Sequence, residues 1–308
     1  MQEPAWLEVS LTFEPDQSEV AEAVAQVLAR LSEGRVVWSY EPPQADAPNY
    51  IRDWGPVTVR AYLPITPKDR EDVRRRVEEA LWHLHVIRPL PAARFRVLRD
   101  EDWLHAWTRF YRPIPVGRRL LVVPAWMEPP EGERTVIFIE PGTAFGTGMH
   151  PTTRLCLEAL EERVRPGEPL MDIGCGSGIL AIAAAKLGAR PVLAVDIEPQ
   201  ALEETRDNAR RNGVEDRIHV HQGSVAEILA GETPLGRAPV VVANIFAEVL
   251  AELLDQGMAR LVTSSGYLVL SGILEEREDL VRQAAARQGL TLVDRAQEGE
   301  WVCLQYRR

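Results

Sequence analysis

The sequence has 308 residues, of which 45% are hydrophobic and 26% charged; this is enough apolar material for two globular domains and excludes a chain dominated by disorder. Its formal net charge of −11 opposes tight, sequence-independent binding to nucleic acid and suits a basic protein partner better. No segment has the roughly 18 uncharged apolar residues of a membrane span. Glu3 and Glu8 stand where a secretory leader would be basic and then apolar. We therefore expect a soluble, cytoplasmic protein with no membrane partner.

The cysteines and histidines do not form a metal-binding pattern. Cys156, Cys175 and Cys303 are odd in number and have no CxxC spacing, which favours buried, reduced thiols over a disulfide framework or a zinc set. Two His-x-His pairs, at 83–85 and 219–221, have no further ligand residues near them in the sequence. We predict no metal site.

Residues 1–98 are predicted to form a ferredoxin-like α+β domain, because their hydrophobic pattern places strands and helices in the order βαββαβ. Ser18 is predicted to cap the first helix, which runs to Leu31 and is ended by Gly34. A loop rich in proline, aspartate and asparagine, residues 42–56, follows the second strand and has no assigned role. The predicted strands cover residues 7–13, 36–40, 57–63 and 95–98, and the second helix covers residues 67–86.

Residues 99–117 are predicted to be a helical linker between two domains. Trp103 and Trp107 lie four residues apart on one face of a short helix over 100–110, where packing is a commoner role than ligand binding. Two apolar strands are predicted to follow, at 119–126 and 135–140.

Residues 118–308 form the second predicted domain, in which long helices alternate with apolar runs from Pro151 onward. Runs that are apolar throughout are typical of parallel strands covered on both faces, so we predict an α/β, doubly wound, Rossmann-like sheet. The tail is predicted to add an antiparallel hairpin about Glu298-Gly299. The predicted strands are 170–173, 192–195, 217–220, 240–243, 267–270, 291–296 and 301–306, and the predicted helices are 178–187, 199–212, 246–261 and 275–288.

The most informative run is Leu170-Met-Asp-Ile-Gly-Cys-Gly-Ser-Gly178, in which a buried strand passes into three glycines and then a helix. Glycines at such a turn let a ligand approach the backbone closely. Compared with the dinucleotide fingerprint GxGxxG, the third glycine comes one residue early and Asp172 precedes the turn. The spacing therefore favours S-adenosylmethionine over a nicotinamide cofactor.

Two polar residues stand at the ends of later apolar strands. A carboxylate at Asp196 is placed to accept both hydroxyls of a ribose, although it could instead cap the helix that begins near Pro199. Asn244 is expected to face the cleft at the carboxyl edge of the sheet, with a helix N-cap as the alternative. The residues around Asn244 do not form the Asn-Pro-Pro-Tyr sequence of methyltransferases that act on glutamine amides or base amines.

A glycine-rich segment, residues 140–153, precedes these motifs and contains hydroxyl side chains and one aromatic residue. Such a loop can close over a bound ligand and exclude water, and an ordinary turn before a helix is the alternative. His150 lies within it, and we interpret this lone histidine before a proline as structural.

The loop sequence Glu-Pro-Gly-Thr-Ala-Phe-Gly-Thr-Gly-Met-His-Pro-Thr-Thr, followed by Asp-Ile-Gly-Cys-Gly-Ser-Gly-Ile-Leu, closely resembles the PrmA family of methyltransferases. These enzymes methylate ribosomal protein L11. The resemblance extends over nearly all of residues 100–308. It includes Glu101-Asp-Trp, Tyr111-Arg-Pro-Ile-Pro-Val-Gly, Asn244-Ile, Leu270-Ser-Gly-Ile-Leu274 and Glu300-Trp301.

The resemblance implies a class I methyltransferase that uses S-adenosylmethionine to methylate lysine side chains and the N-terminal amine of ribosomal protein L11, either free or in the large ribosomal subunit. It implies cofactor contacts by Thr153, Gly174, Asp196 and Asn244, and substrate recognition by residues 1–98. We further hypothesise that Asn244 positions the amine, and we assign no general base.

Two other interpretations remain open from the sequence. The first is an enzyme of the same fold that acts on an amine of another protein or of a small molecule. The second is a nonenzymatic ribosome- or RNA-binding factor. The acidic charge and the absence of an aromatic RNP1 run argue against this factor and against sequence-specific contact with nucleic acid.

Overall fold

The computed structural model describes residues 5–14, 17–32, 36–40, 56–99, 112–140 and 150–308. The predictions for Gly34, for the loop over 42–56, for the linker helix over 100–110 and for most of the segment over 140–153 lie outside these residues. The chain divides into two compact units, residues 1–112 and residues 113–308. They are described separately.

The described residues of the N-terminal unit form an antiparallel sheet of four strands with the order β2-β3-β1-β4, together with two helices. Alternate residues of β1, such as Leu7 and Val9, point into a core completed by Val24 and Leu28 of α1 and Val77 of α2. The elements are β1 (Ala5–Phe13), α1 (Ser18–Leu31), β2 (Val36–Tyr40), β3 (Val57–Ile65), α2 (Arg70–Ile87) and β4 (Arg94–Arg99).

Both helices of this unit begin differently from the sequence prediction. The N-cap of α1 is Gln17, and Ser18 is already helical, so the prediction of Ser18 as the cap was wrong. The second helix starts at Arg70 because residues 66–69 form a turn, in which Asp69 Oδ1 accepts the backbone N–H of Thr66 at 2.6 Å.

In the C-terminal unit, the residues that the structure describes form a sheet of seven strands in the order β10-β9-β8-β11-β12-β14-β13 and a small sheet in the order β5-β6-β7. Strands β8 to β12 pair in parallel, whereas β14 and β13 run antiparallel to their neighbours. The strands are β5 (Ile114–Val116), β6 (Leu120–Pro124), β7 (Thr135–Ile139), β8 (Leu170–Ile173), β9 (Val192–Asp196), β10 (Ile218–Gln222), β11 (Ala238–Asn244), β12 (Val262–Leu274), β13 (Thr291–Glu298) and β14 (Trp301–Arg307).

Helices cover the seven-stranded sheet, whose central strands β8 and β11 are almost wholly buried. The helices are α3 (Pro151–Arg163), α4 (Ile179–Lys186), α5 (Pro199–Arg211), α6 (Val225–Ala230), α7 (Ala247–Asp255) and α8 (Glu278–Arg287). No helix among the described residues combines the length and the apolar character that a membrane crossing requires.

Several boundaries in this unit correct the sequence prediction. The helix predicted over 246–261 is two elements, because Gly257 takes a left-handed φ of 101° and separates α7 from a 3-10 turn at Met258–Leu261. The helix predicted over 275–288 begins as a 3-10 turn, Glu275–Arg277, before α8. Strand β12 extends well beyond the predicted residues 267–270, and neither β5 nor α6 was predicted.

Glu161 of α3 ties the small sheet to this helix. Its carboxylate accepts the backbone N–H groups of Arg118, Arg119 and Leu120 at 2.9, 2.7 and 2.9 Å. Hydrogen bonds to an ionised acceptor are stronger than those between neutral groups. This one side chain therefore fixes the turn between β5 and β6.

Glu161→Gln should lower the free energy of unfolding by about 1 to 3 kcal/mol, because an amide NH₂ would face backbone N–H donors. Chemical denaturation measures the change. Glu162→Gln is the matched control. The Glu162 side chain is 67% exposed and lies 3.9 Å from Arg163, so we expect a change within about 0.5 kcal/mol. Equal effects of the two substitutions would contradict the assignment.

Candidate functional site

The strand order of the large sheet reverses at β8. The chain passes from β8 to β9 and β10 on one side and then crosses to β11 on the other side of β8. In open α/β sheets, ligands bind outside the carboxyl ends of the strands at such a reversal. The crevice at the ends of β8 and β11 is therefore the candidate site.

Three glycines form the turn after β8. Gly174, Gly176 and Gly178 all have positive φ, between 53° and 81°, a region that L-residues rarely adopt. A Cβ atom at Gly174 would come within 2.7 Å of Ile245 Cγ2. The Gly174 N–H donates to the carbonyl of Val195 at 2.8 Å. Glycine is therefore required at this position, because a side chain would collide with Ile245.

Asp196 ends the neighbouring strand β9. Its Oδ2 accepts the N–H of Gly176 at 3.0 Å, and its Oδ1 accepts the N–H of Glu198 at 3.0 Å. The N-cap of α5 is Glu198, so the alternative of Asp196 as that cap is wrong. The carboxylate lies half-buried beside the glycine turn.

Asn244 ends β11 on the other side of the turn. Its Nδ2 donates to Thr153 Oγ1 at 3.4 Å, and Thr153 is fully buried in the first turn of α3. Asn244 Oδ1 is buried and accepts no hydrogen bond from the described residues. The N-cap of α7 is Phe246, so the alternative of Asn244 as that cap is wrong. Its amide oxygen is free to bind a donor from a ligand.

The four candidate residues lie at one edge of the sheet. Asn244 is paired in register with Ser271 one residue beyond Ala243, which itself faces Ile173 at the end of β8. Thr153 and Asn244 are joined by a hydrogen bond between their side chains, whereas the Asp196 carboxylate accepts the backbone N–H of Gly176 in the glycine turn. A doubly wound sheet with these groups along its ligand edge is the architecture of the class I, S-adenosylmethionine-dependent methyltransferases.

His150 lies directly before the first turn of α3, the turn that contains Thr153. It is the N-cap of that helix, with Nδ1 at 3.4 Å from the Thr152 nitrogen, and its ring packs edge-on against Trp301 at 4.7 Å. Burial, with a smaller contribution from Arg154, lowers the pKa of His150 to about 3. The imidazole is therefore neutral, and its contacts are structural.

A buried ion pair joins the same helix turn to the C-terminal hairpin. Arg154 is almost completely buried, and its Nε lies 3.2 Å from Glu298 Oε2 at the end of β13. Sequence reasoning missed this pair, because neither residue carries a local signal. It holds the helix turn that contains Thr153.

Asp172 was noted in the sequence but not predicted as a site residue. It is fully buried on β8; its Oδ2 accepts the N–H of Ala181 at 3.0 Å, and its Oδ1 has no partner among the described residues. Burial, opposed by the hydrogen bond from Ala181 and aided by the nearby charge of Asp196, raises the pKa of Asp172 to about 7. An acidic residue inside the apolar run Leu-Met-Asp-Ile was the signal that could have found it.

No group of three or more histidine, cysteine, aspartate or glutamate residues within the described part of the chain could hold a metal ion. The cysteines Cys156, Cys175 and Cys303 are all free and buried, which confirms the prediction made for them.

Comparisons with known proteins agree with this architecture. The sequence profile of the family described as "Ribosomal protein L11 methyltransferase (PrmA)" matches residues 5–308. A "Ribosomal protein L11 methyltransferase" from Chloroflexus aurantiacus is 41% identical over 331 residues, covering 100% of this chain and 99% of its own. One from Geobacter sulfurreducens is 48% identical over 225 residues, covering 71% of this chain and 70% of its own.

A solved structure is similar as well. The crystal structure of the ribosomal protein L11 methylase from Lactobacillus delbrueckii subsp. bulgaricus matches 64% of this chain and 99% of its own, with a TM-score of 0.58 and 33% sequence identity. The chain belongs to the ribosomal protein L11 methyltransferase (PrmA) family.

The buried carboxyl of Asp172 makes stability depend on pH. Its pKa in the folded state is raised above the unfolded value, so the native protein keeps a proton that the unfolded chain loses, and stability falls as pH rises from about 4 to 7. Asp172→Asn removes this loss. Between about pH 4 and pH 8, the unfolding free energy of the variant relative to wild type should rise by roughly 2 to 4 kcal/mol.

Denaturant titrations at several pH values measure this difference. Asp216→Asn, at a carboxylate 64% exposed, is the control and should show little change across the range. A stability difference for Asp172→Asn that stays constant with pH would show that the raised pKa is wrong.

Proposed function

We propose that this protein transfers methyl groups from S-adenosylmethionine to amines of ribosomal protein L11, at lysine side chains and at the N-terminal amine. The observation that carries the proposal is the buried amide oxygen of Asn244, which has no hydrogen-bond partner in the described part of the chain and lies at the sheet edge beside the glycine turn, in a chain of this family. Because the proposed substrate is a ribosomal protein, we propose that the protein acts in the cytoplasm.

The residues of the crevice suit S-adenosylmethionine, a ligand with positive charge, a ribose and an amino acid end. Asp196 is a half-buried carboxylate placed for the ribose hydroxyls, and the turn at Gly174 allows close approach to backbone. Asp172 and Asn244 each have a buried oxygen without a hydrogen-bond partner among the described residues, and such oxygens suit a cationic or hydrogen-bond-donating ligand. Thr153 completes the set through its contact with Asn244.

The cofactor, when bound, supplies a methyl group on a positively charged sulfur that an amine can attack in line. The protein's task is then to align the amine, because no covalent intermediate with a side chain is required. A lysine amine must also be neutral. With a free pKa near 10.4, losing its proton at neutral pH costs roughly 4 to 5 kcal/mol.

Asn244 is suited to hold that neutral amine. Its Nδ2 is committed to Thr153 Oγ1, and this contact turns the amide so that Oδ1 is left to accept an amine N–H. An amine that donates to Oδ1 keeps its lone pair for the methyl group. The amine's proton leaves to water.

The N-terminal unit is proposed to be a ferredoxin-like domain that recognises ribosomal protein L11. Its element order and its four-stranded antiparallel sheet support the fold, and the family match extends through it. Helix α2 exposes Trp82, Val86 and Ile87, each more than half accessible to solvent. Exposed apolar side chains that cluster in this way are typical of interaction sites.

Mass spectrometry of purified ribosomal protein L11 incubated with the enzyme and S-adenosylmethionine tests the activity. We expect mass gains of one CH₂ unit per methyl group, and loss of these gains in Asp196→Ala. Asn244→Ala should lower kcat about 100-fold through loss of amine alignment, while the Kd for S-adenosylmethionine rises less than about tenfold.

Gln256→Ala, at an exposed residue after α7, is the control and should keep wild-type turnover. Full activity of Asn244→Ala would refute the role of Asn244. Absence of any mass gain with wild-type enzyme that binds S-adenosylmethionine would redirect the search to other amines.

Trp82→Ala should raise the KM for ribosomal protein L11 by about tenfold, because a large exposed aromatic residue is a typical hot spot of a protein interface. The Kd for S-adenosylmethionine should not change. Arg75→Ala, on the same helix with a side chain 65% exposed, is the control and should leave both constants unchanged. If Trp82→Ala leaves KM unaltered, α2 is not the recognition surface.

A further inference from the structure

Helix α5 contacts the glycine turn through two buried side chains. Thr205 Oγ1 donates to the carbonyl of Gly176 at 2.9 Å, and Asn208 Nδ2 donates to the carbonyl of Ser177 at 2.9 Å. Thr205 is fully buried and Asn208 is 2% exposed. The turn therefore takes its shape from the helix as well as from its glycines.

The same amide of Asn208 reaches a second part of the unit. Its Oδ1 accepts the backbone N–H of Glu140 at 3.1 Å, just after the end of β7. The orientation of the amide is determined by its partners, because a carbonyl only accepts and a backbone N–H only donates. One side chain thus joins the glycine turn to the end of β7.

Asn212, one helical turn later, makes a contact of a different kind. Its Oδ1 accepts the N–H of Phe138 at 2.9 Å and its Nδ2 donates to the carbonyl of Phe138 at 2.6 Å. It attaches α5 to β7 without touching the glycine turn. Asn208 lies in the last turn of α5 and Asn212 is its C-cap. Both are mostly buried and both bond to backbone at or just after the end of β7, but only Asn208 bonds to Ser177.

We propose that Asn208 is a positioning residue for S-adenosylmethionine, which acts by holding the carbonyl of Ser177 and the backbone at Glu140 at a set separation. The inference rests on the proposed function, since it takes S-adenosylmethionine as the ligand of the turn. Asn208 does not touch the ligand. It determines the shape of the backbone that does, and Thr205 shares this role at Gly176.

Calorimetric titration with S-adenosylmethionine tests the proposal in the full-length protein, at a temperature where every variant is folded. Asn208→Ala should weaken binding about tenfold, the usual order for loss of a buried hydrogen bond that leaves its partner unsatisfied. Asn212→Ala should lower Tm about as much as Asn208→Ala does. It should nevertheless keep the Kd for S-adenosylmethionine within about twofold of wild type.

Asn208→Asp separates the two bonds of the amide. A carboxylate still accepts from the N–H of Glu140 but cannot donate to Ser177, so binding should be at least as weak as in Asn208→Ala. In steady-state assays, the KM for S-adenosylmethionine should rise in both Asn208 variants while the KM for ribosomal protein L11 stays constant.

A Kd for Asn208→Ala within about twofold of wild type would overturn the proposal, as would equal weakening by Asn212→Ala. If Asn208→Ala does not fold, Thr205→Val keeps the side-chain shape, removes the donor to Gly176, and should weaken binding severalfold; unchanged binding by that variant would also overturn it. Failure of the proposed function has a different signature, because wild-type protein would then not bind S-adenosylmethionine.

Discussion

The parallel pairing of β8 with β9 on one side and β11 on the other is the constraint on which the whole site depends. In this register Ile173 faces both Val195 and Ala243, so the residues that follow these strands emerge at one level of the sheet. The glycine turn, Asp196 and Asn244 are separated by many residues in sequence. The strand register alone brings them to the same edge of the sheet. Apolar burial of the three strands supplies the rigidity.

The residues at this edge lower the stability of the fold in ways that an ordinary apolar core does not. Gly174, Gly176 and Gly178 adopt left-handed backbone conformations. Two buried oxygens, on Asp172 and Asn244, lack hydrogen-bond partners among the described residues. Each unsatisfied buried polar group disfavours the fold by about 1 to 3 kcal/mol. Helices α3 and α5 offset these costs by bonding to the turn and to Asn244. Stability is thus given up where a ligand would restore it.

Much of this could be predicted from the sequence, and the successes share a cause. Runs that are apolar throughout, such as 170–173 and 192–195, predicted the central strands to within one residue, because strands buried on both faces have no polar positions. Thr153, Gly174, Asp196 and Asn244 were predicted from motifs, and the structure places them along one edge; their roles in binding remain predictions.

The failures occur where tertiary contacts decide. The polar start of β12 is typical of a loop. It is nevertheless strand, because Val262 pairs with Ala238 of β11 and the backbone of Ser265 and Gly266 bonds to Arg308, just after β14. Asn208 and Thr205 look like ordinary helix surface residues until α5 is seen against the turn. The helix ends at Gly257 because this glycine adopts a left-handed backbone conformation. The sequence alone does not show whether a glycine adopts that conformation or stays helical.

The position of β14 has a consequence for how the protein becomes active as it is made. This late strand lies inside the sheet, between β12 and β13, and its first residue, Trp301, packs against His150 beneath Thr153. A nascent chain that already contains the glycine turn and Asn244, but not β14, therefore lacks the packing of Trp301 against His150 beneath the first turn of α3. The candidate crevice is therefore complete only when β14 has joined the sheet.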